Sequence, residues 1–174
     1  MPEEQIVLVD ETDTIIGSGP KLAVHQTPTL HRAFSIFIFN SQKEMLLQRR
    51  ALSKYHSGGL WTNACCGHQR PDETLSESAQ RRLKEEMGID CPLEDRFSFI
   101  YRAPLDHGLT EYEYDHVFFG IYDGNIQADP EEAMDWRWLS LAAIQQDIAA
   151  HPDLYTYWFK MILKRRPDIS PPVA

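Results

Sequence analysis

Apolar and polar positions along the chain change period several times, and each change predicts an element. Ile6 to Val9 is a short apolar run, Asp10 to Asp13 an acidic turn, and Thr14 to Lys21 a return strand carrying Gly17 and Gly19, which predicts an opening β-hairpin. Ala33 to Phe39 is continuous in β-favouring residues. Asn40 to Lys43 then supplies a polar turn and Met45 to Gln48 a further strand, predicting a second hairpin. Ala51 to Leu60, with Gly58-Gly59, predicts a loop able to approach a ligand before Trp61 begins an extended run.

From Leu75 the period lengthens. Leu75, Ala79, Leu83 and Met87 recur every four residues among polar neighbours, which predicts a helix with one buried line, ended by Gly88. Strand composition returns at Phe97 to Tyr101, Tyr112 to Tyr122 and Trp136 to Leu139. Leu141 to Ala150 and Leu154 to Lys164 predict two late helices, separated at His151-Pro152 because the residue before a proline disfavours helix. No internal repeat interrupts the pattern, so one α/β domain is predicted over residues 1–166, with 167–174 as a flexible C-terminal tail.

Charge narrows the function. The chain of 174 residues has 26 acidic against 17 basic residues and a formal net charge of -9, which opposes a general grip on nucleic acid or anionic membranes. Three cysteines are too few for a disulfide framework. The start MPEEQIVLVD lacks a secretion-type pattern, and no apolar run reaches the roughly 18 to 20 residues of a membrane span. A reducing, cytoplasmic setting is expected.

Two stretches carry chemistry. In WTNACCGH, neighbouring Cys65 and Cys66 are poorly disposed to form a disulfide; in an extended segment they face opposite ways, one into packing and one toward a cavity. Glu111 and Glu113, one residue apart on a predicted strand, present both carboxylates to one face.

The stretch GHQRPDETLSESAQRRLKEEMGI places Gly67, Glu73, Arg81, Glu85, Glu86, Gly88 and Ile89 in a spacing that resembles the Nudix family. One position departs from that family's pattern. Arg82 stands where the first glutamate of its helix is expected, so a carboxylate face for hard cations is replaced by an i to i+4 charge pair with Glu86 and an anion-binding head. With WTNACCGH, the upstream HQTPTLHRAF and the downstream EYEYDHVFFG, the chain is more specifically similar to the type 1 isopentenyl-diphosphate isomerases, from about Val7 to Trp158.

That resemblance implies a Nudix-like α/β single domain, with mixed β-sheets flanked by helices and an N-terminal β-hairpin. It implies a reversible 1,3-allylic proton rearrangement between isopentenyl and dimethylallyl diphosphate, with no redox cofactor. Cys66 and Glu113 become the proton-transfer groups, Glu113 assisted by Tyr101. His25, His31, His68, Glu111 and Glu113 become ligands for a manganese, magnesium or zinc ion. Glu86 is expected to hold magnesium against the substrate diphosphate, and Lys21, Arg50, Lys54 and Arg82 to form the anion pocket. Trp61 and Trp158 offer aromatic faces to the hydrocarbon and its developing charge. His56, His107, His116 and His151 stay outside the site, and a monomer or weak homodimer is expected. The alternatives are a Nudix hydrolase of another diphosphate-containing small molecule and a non-catalytic diphosphate-metabolite sensor.

Overall fold

The computed structural model describes residues 3–173, and its organising strand is β3, His31–Phe39. This strand pairs in parallel along its whole length with β8, Thr110–Ile121, from His31 opposite Glu113 to Phe39 opposite Ile121. Along its other edge it runs antiparallel to β6, Cys65–His68, with Ser35 opposite Cys66 and Ala33 opposite His68. The sheet extends past β8 to β7, Glu94–Pro104, and outward from β3 to the hairpin of β1, Gln5–Val9, and β2, Ile15–Pro20. On the far side β4, Met45–Arg50, pairs with β5, Trp61–Thr62, and with β9, Ala133–Leu139.

The second predicted hairpin is therefore only nominal. β3 and β4 meet at the single pair Phe39 and Met45, then part to take different neighbours. Asn40 makes that corner, its Oδ1 accepting from the Gln42 and Glu44 amides at 3.0 and 2.9 Å.

Alternation along β3 divides the interior in two. Phe34, Ile36 and Ile38 face α2, Leu75–Met87, and pack with its Ala79, Leu83 and Met87, all three fully buried. Burying such an aliphatic side chain contributes about 1.5 to 3 kcal/mol. The helix has the predicted bounds, set by a capping box at Thr74, where the Glu77 amide donates to Thr74 Oγ1 at 3.1 Å and the Thr74 amide to Glu77 Oε2 at 2.7 Å. Gly88 ends it at φ 66°, a conformation open to a residue without Cβ.

Phe37 and Phe39 face the other way, against α3, Leu141–Ala150, and α4, Tyr157–Arg165, through Ile144, Phe159 and Ile162. The result is a mixed sheet between helices. α4 starts later than its apolar pattern predicts, because Pro152–Leu154 forms a separate 3-10 turn and the Thr156 amide is drawn to the Trp61 carbonyl at 3.0 Å. The tail expected from Pro167 is anchored at its start, where Gln145 Nε2 donates to the Pro167 carbonyl at 3.2 Å and Ile169 is buried in the α4 cluster. Among the described residues, no helix is long and apolar enough to cross a membrane.

The pattern did not predict α1, Lys21–Gln26, which begins where the return strand was expected to end. Six residues are too few for a helical period to register, yet the short helix matters: Lys21 and His25, four apart, lie on one face.

Candidate active site and metal centre

A cavity of about 140 Å³ opens over β3, β6 and β8, walled by the 51–60 loop, Arg82 of α2 and Trp158 of α4. Cys66, Glu113 and Tyr101 all line it, as do Lys21, Arg50, Lys54 and Arg82. Strand alternation explains the selection. Cys65 turns into the α2 cluster with no exposed surface, and Cys66 turns to the cavity and the opposite cluster. Glu111 and Glu113 share the cavity face as predicted, and the same period continues to buried Asp115.

At one end, imidazoles and carboxylates converge. One ligand atom each from His25, His31, His68 and Glu111 lies within 4.8 Å of the others, and all four residues are buried. His25 Nδ1 lies 2.6 Å from the Lys21 carbonyl and His31 Nδ1 2.8 Å from the Thr29 carbonyl. A carbonyl only accepts, so both Nδ1 atoms carry the hydrogen and the Nε2 atoms present lone pairs. Those lone pairs nevertheless face carboxylate oxygens: His25 Nε2 is 2.9 Å from Glu111 Oε1, and His31 Nε2 is 3.6 Å from Glu111 Oε2 and 3.3 Å from Glu113 Oε2. His31 Nε2 and Glu111 Oε2 are buried without a hydrogen-bond partner. Electron pairs packed in this way suit a cation among them, and a nitrogen and oxygen donor set fits a first-row divalent ion or magnesium.

Without the metal, protons take its place. Burial opposes charge on His31, but the adjacent carboxylates of Glu111 and Glu113 outweigh it and hold the imidazole up at about 10. Burial keeps His68 well below the usual histidine range. Glu113, desolvated and beside the charge of Glu111, is held well above the usual carboxylate range. His68 Nε2 lies 3.0 Å from Glu113 Oε2, and the Tyr101 hydroxyl donates to Glu113 Oε1 in a short hydrogen bond.

The other end holds the thiol. Cys66 Sγ is 3.3 Å from Asn63 Oδ1 and 3.8 Å from Ser35 Oγ, and it accepts from Trp158 Nε1 at 3.0 Å. Ser35 in turn donates to Asp115 Oδ2 at 2.7 Å. Burial, then the charge of Asp115, pushes the thiol up to about 12. Arg50 stacks over Trp158 at 5.3 Å, with its Nε buried and unpartnered. The β4–β9 ladder slips one residue between Arg49 and Arg50, the kind of irregularity that re-aims a side chain.

The remaining cations are held by acids at the rim. Lys21 Nζ is 3.4 Å from Glu4 Oε2, Lys54 pairs with Glu132, and Arg82 Nη2 reaches Glu132 Oε1 at 3.2 Å and Glu86 Oε1 at 2.8 Å. These pairs hold three positive heads around the opening that Arg50 also lines.

Several placements differ from the sequence reading. Trp61 does not line the cavity: as the first residue of the two-residue β5, opposite Arg49, it lies under the Arg137 guanidinium at 4.3 Å. Glu86 also stands outside the lining, behind Arg82, its Oε2 accepting from Gln48 Nε2 at 3.3 Å and Cys65 Sγ at 3.2 Å. His56, expected outside, is buried in the cavity wall with Nε2 3.0 Å from Glu111 Oε1. Burial, its largest influence, lowers its pKa. No periodic signal could have found a loop histidine; Asp115 and Ser35 were also missed, although strand alternation is the signal that would have turned these polar positions inward.

Comparison with known proteins bears on family and fold. The NUDIX domain matches residues 29–159. An isopentenyl-diphosphate Delta-isomerase 2 of Photorhabdus laumondii is 52% identical over 161 residues, covering 92% of this chain and 91% of the relative. An isopentenyl-diphosphate Delta-isomerase 1 of Aromatoleum aromaticum is 51% identical over 163 residues, 94% of this chain and 92% of the relative. Among solved structures, a protein of Deinococcus radiodurans superposes with a TM-score of 0.70 at 22% identity, over 84% of this chain and 90% of its own, which speaks to fold alone.

Proposed function

The chain belongs to the isopentenyl-diphosphate Delta-isomerases of the NUDIX domain family, and from that premise we propose that it interconverts isopentenyl and dimethylallyl diphosphate by proton transfer between Glu113 and Cys66. The supporting observation is that both groups line one cavity with the four cations and with His68 and Glu111 of the metal-donor cluster. The diphosphate is an anchor, held by Lys21, Arg50, Lys54 and Arg82, and leaves the reaction intact.

In the forward direction Glu113 delivers a proton to the terminal alkene carbon. The π pair forms the new C–H bond, and tertiary carbocation character develops at the neighbouring carbon. Cys66 then removes a proton from the methylene on the other side, whose C–H pair becomes the new double bond. Reversal exchanges the two duties. Tyr101 holds Glu113 through Oε1, and Trp158 offers its ring face to the cation while its N–H contacts the sulfur, a differential stabilisation of about 0.5 to 2 kcal/mol.

His25, His31, His68, Glu111 and Glu113 would hold a divalent ion, with manganese, magnesium and zinc all compatible with the donors. When bound, that ion supplies positive charge that fixes the carboxylates and lowers the cost of their burial. Glu86, now paired with Arg82, would be the carboxylate to hold a magnesium ion that would neutralise the diphosphate. Hydrolysis has less support, because Glu85 and Glu86 are both engaged by Arg81 and Arg82.

The test is incubation of the metal-loaded protein with isopentenyl diphosphate in heavy water. Deuterated dimethylallyl diphosphate with no released phosphate is expected; phosphate or pyrophosphate release without an allylic product would overturn the reading.

A further inference from the structure

His56 differs from the other cluster histidines in how its ring is tied. Its Nδ1 faces the Ser57 hydroxyl at 3.0 Å, not a carbonyl. A hydroxyl can donate, so Nδ1 is free to be the acceptor, which leaves the hydrogen on Nε2, 3.0 Å from Glu111 Oε1. His25 and His31 show the opposite tautomer, with Nδ1–H spent on backbone carbonyls. They are built to offer lone pairs to a cation, and His56 is built to donate a hydrogen to a ligand of that cation.

The loop around His56 is fixed from several sides. Its carbonyl accepts from Arg50 Nη2 at 3.0 Å, and its ring stands edge-on to Trp158 with centroids 5.7 Å apart. Ser57 sits at φ 55°, unusual for a residue with a side chain, and its amide donates to Asp106 Oδ1 at 2.9 Å. Lys54, one of the cavity cations, is two residues away in the same loop.

We propose that His56 is a positioning residue that donates Nε2–H to Glu111 Oε1, turns Oε2 toward His31 and the metal, and so couples metal occupancy to the order of the loop carrying Lys54. The inference rests on the cluster being a metal site. Hydrogen-bond partners of metal-ligating carboxylates typically matter by 10- to 100-fold in metal affinity. Because one side chain joins ligand and loop, an ion that fixes Glu111 also fixes His56, and a loop held by His56 presents Lys54 in place.

The experiment is Mn2+ titration of the metal-stripped full chain, followed by electron paramagnetic resonance, with hydrogen exchange of residues 51–60 measured with and without Mn2+. Wild type should bind Mn2+ and show slower loop exchange when loaded. His56→Ala should bind roughly 10- to 100-fold more weakly and lose the metal-dependent protection. His56→Gln, which keeps an N–H donor at a similar reach, should recover most of both. Failure of wild type to bind Mn2+ would remove the metal reading itself, and the inference with it. Normal binding in wild type with an unchanged affinity in His56→Ala overturns the inference alone. Should His56→Ala fail to fold, wild type decides through exchange: no metal-dependent protection in 51–60 sinks the coupling.

Discussion

The two ends of the cavity use opposite means to hold a proton. Around Glu113 the protein crowds acceptors: two carboxylates and three imidazoles share a dry space in which His31 Nε2 and Glu111 Oε2 find no hydrogen bond. Around Cys66 it isolates a thiol, giving the sulfur an indole N–H and two weak acceptors. Burial raises proton affinity at both ends; the crowded acceptors around Glu113 add the charge of Glu111 and invite a metal, whereas the isolated thiol invites none. The difference teaches that similar raised affinities can belong to groups with different dependences on metal.

Substituting each end separately should give the largest effects. Cys66→Ala and Glu113→Gln should each lower turnover by about 10²- to 10⁴-fold, the usual reach of one positioned acid or base. Mn2+ affinity separates them: it should be unchanged in Cys66→Ala and weakened in Glu113→Gln. Equal metal binding in both variants would erase the contrast.

Gly67 joins the two ends, lying between Cys66 and His68. A Cβ there would meet the Phe34 ring at 2.6, 3.1 and 3.3 Å. Gly67→Ala must shift the ring or the strand, at a cost of about 1 to 3 kcal/mol, and should disturb thiol and metal ligand together. A denaturant melt at wild-type stability would show that the strand has slack.

Titration sharpens the comparison further. With Cys66 pushed up to about 12 by burial, and with Glu113 held high by burial and Glu111 before a metal binds, both groups favour their protonated forms. Proton transfer from one side to the other needs one donor and one acceptor, so a proton must leave first. Activity should therefore rise with pH, at about tenfold per unit below the first ionisation, since each pKa unit is a factor of ten in population. A flat profile of kcat/KM from pH 6 to 9 would mean that the pair already shares a single proton.

How legible these ends were depended on how local their geometry is. The alternation of Glu111 and Glu113 follows from a two-residue period, and the structure carries that period one step further to Asp115, which the sequence reading did not single out and which completes the row behind Ser35. The opposed faces of Cys65 and Cys66 followed from the same rule. Parallel pairing of β3 with β8 did not, because the partner lies some 80 residues away and no local pattern encodes it. Nor could His56 be placed: its loop turns through Ser57 and Gly59 at positive φ and is fixed by Arg50 and Asp106, contacts that exist only after folding. Trp61 illustrates the converse, an aromatic beside a catalytic motif whose two-residue strand pairing aims it at Arg137.

Trp158 meets the thiol through its N–H and the metal end only through a ring edge against His56, so Trp158→Phe, which keeps the ring, should act at the thiol end. Phenylalanine keeps a ring face but removes the N–H that meets Cys66 Sγ. The loss should lie within the roughly 0.5 to 2 kcal/mol of a cation–ring contact, about 2- to 30-fold in turnover. Mn2+ affinity and KM for the diphosphate should stay close to wild type. A change in metal affinity would link the two ends through Trp158, contrary to their separation.

The smallest effect tests whether the comparison is confined to the cavity face. α2 sends Arg82 into the cavity from the far side of the sheet, and its start is fixed by the Thr74 and Glu77 reciprocal bonds. Thr74→Ala removes a hydroxyl acceptor and leaves the Glu77 amide without its partner, a loss of about 1 kcal/mol of stability. Arg82 lies two turns further along, and the buried line of Ala79, Leu83 and Met87 holds that part of the helix independently of the cap. A thermal melt should therefore fall by a few degrees while turnover and Mn2+ affinity hold at the assay temperature. If turnover fell with the melt unchanged, the cap would be setting the reach of Arg82 into the anion pocket, and the helix face could no longer be treated as scaffold alone.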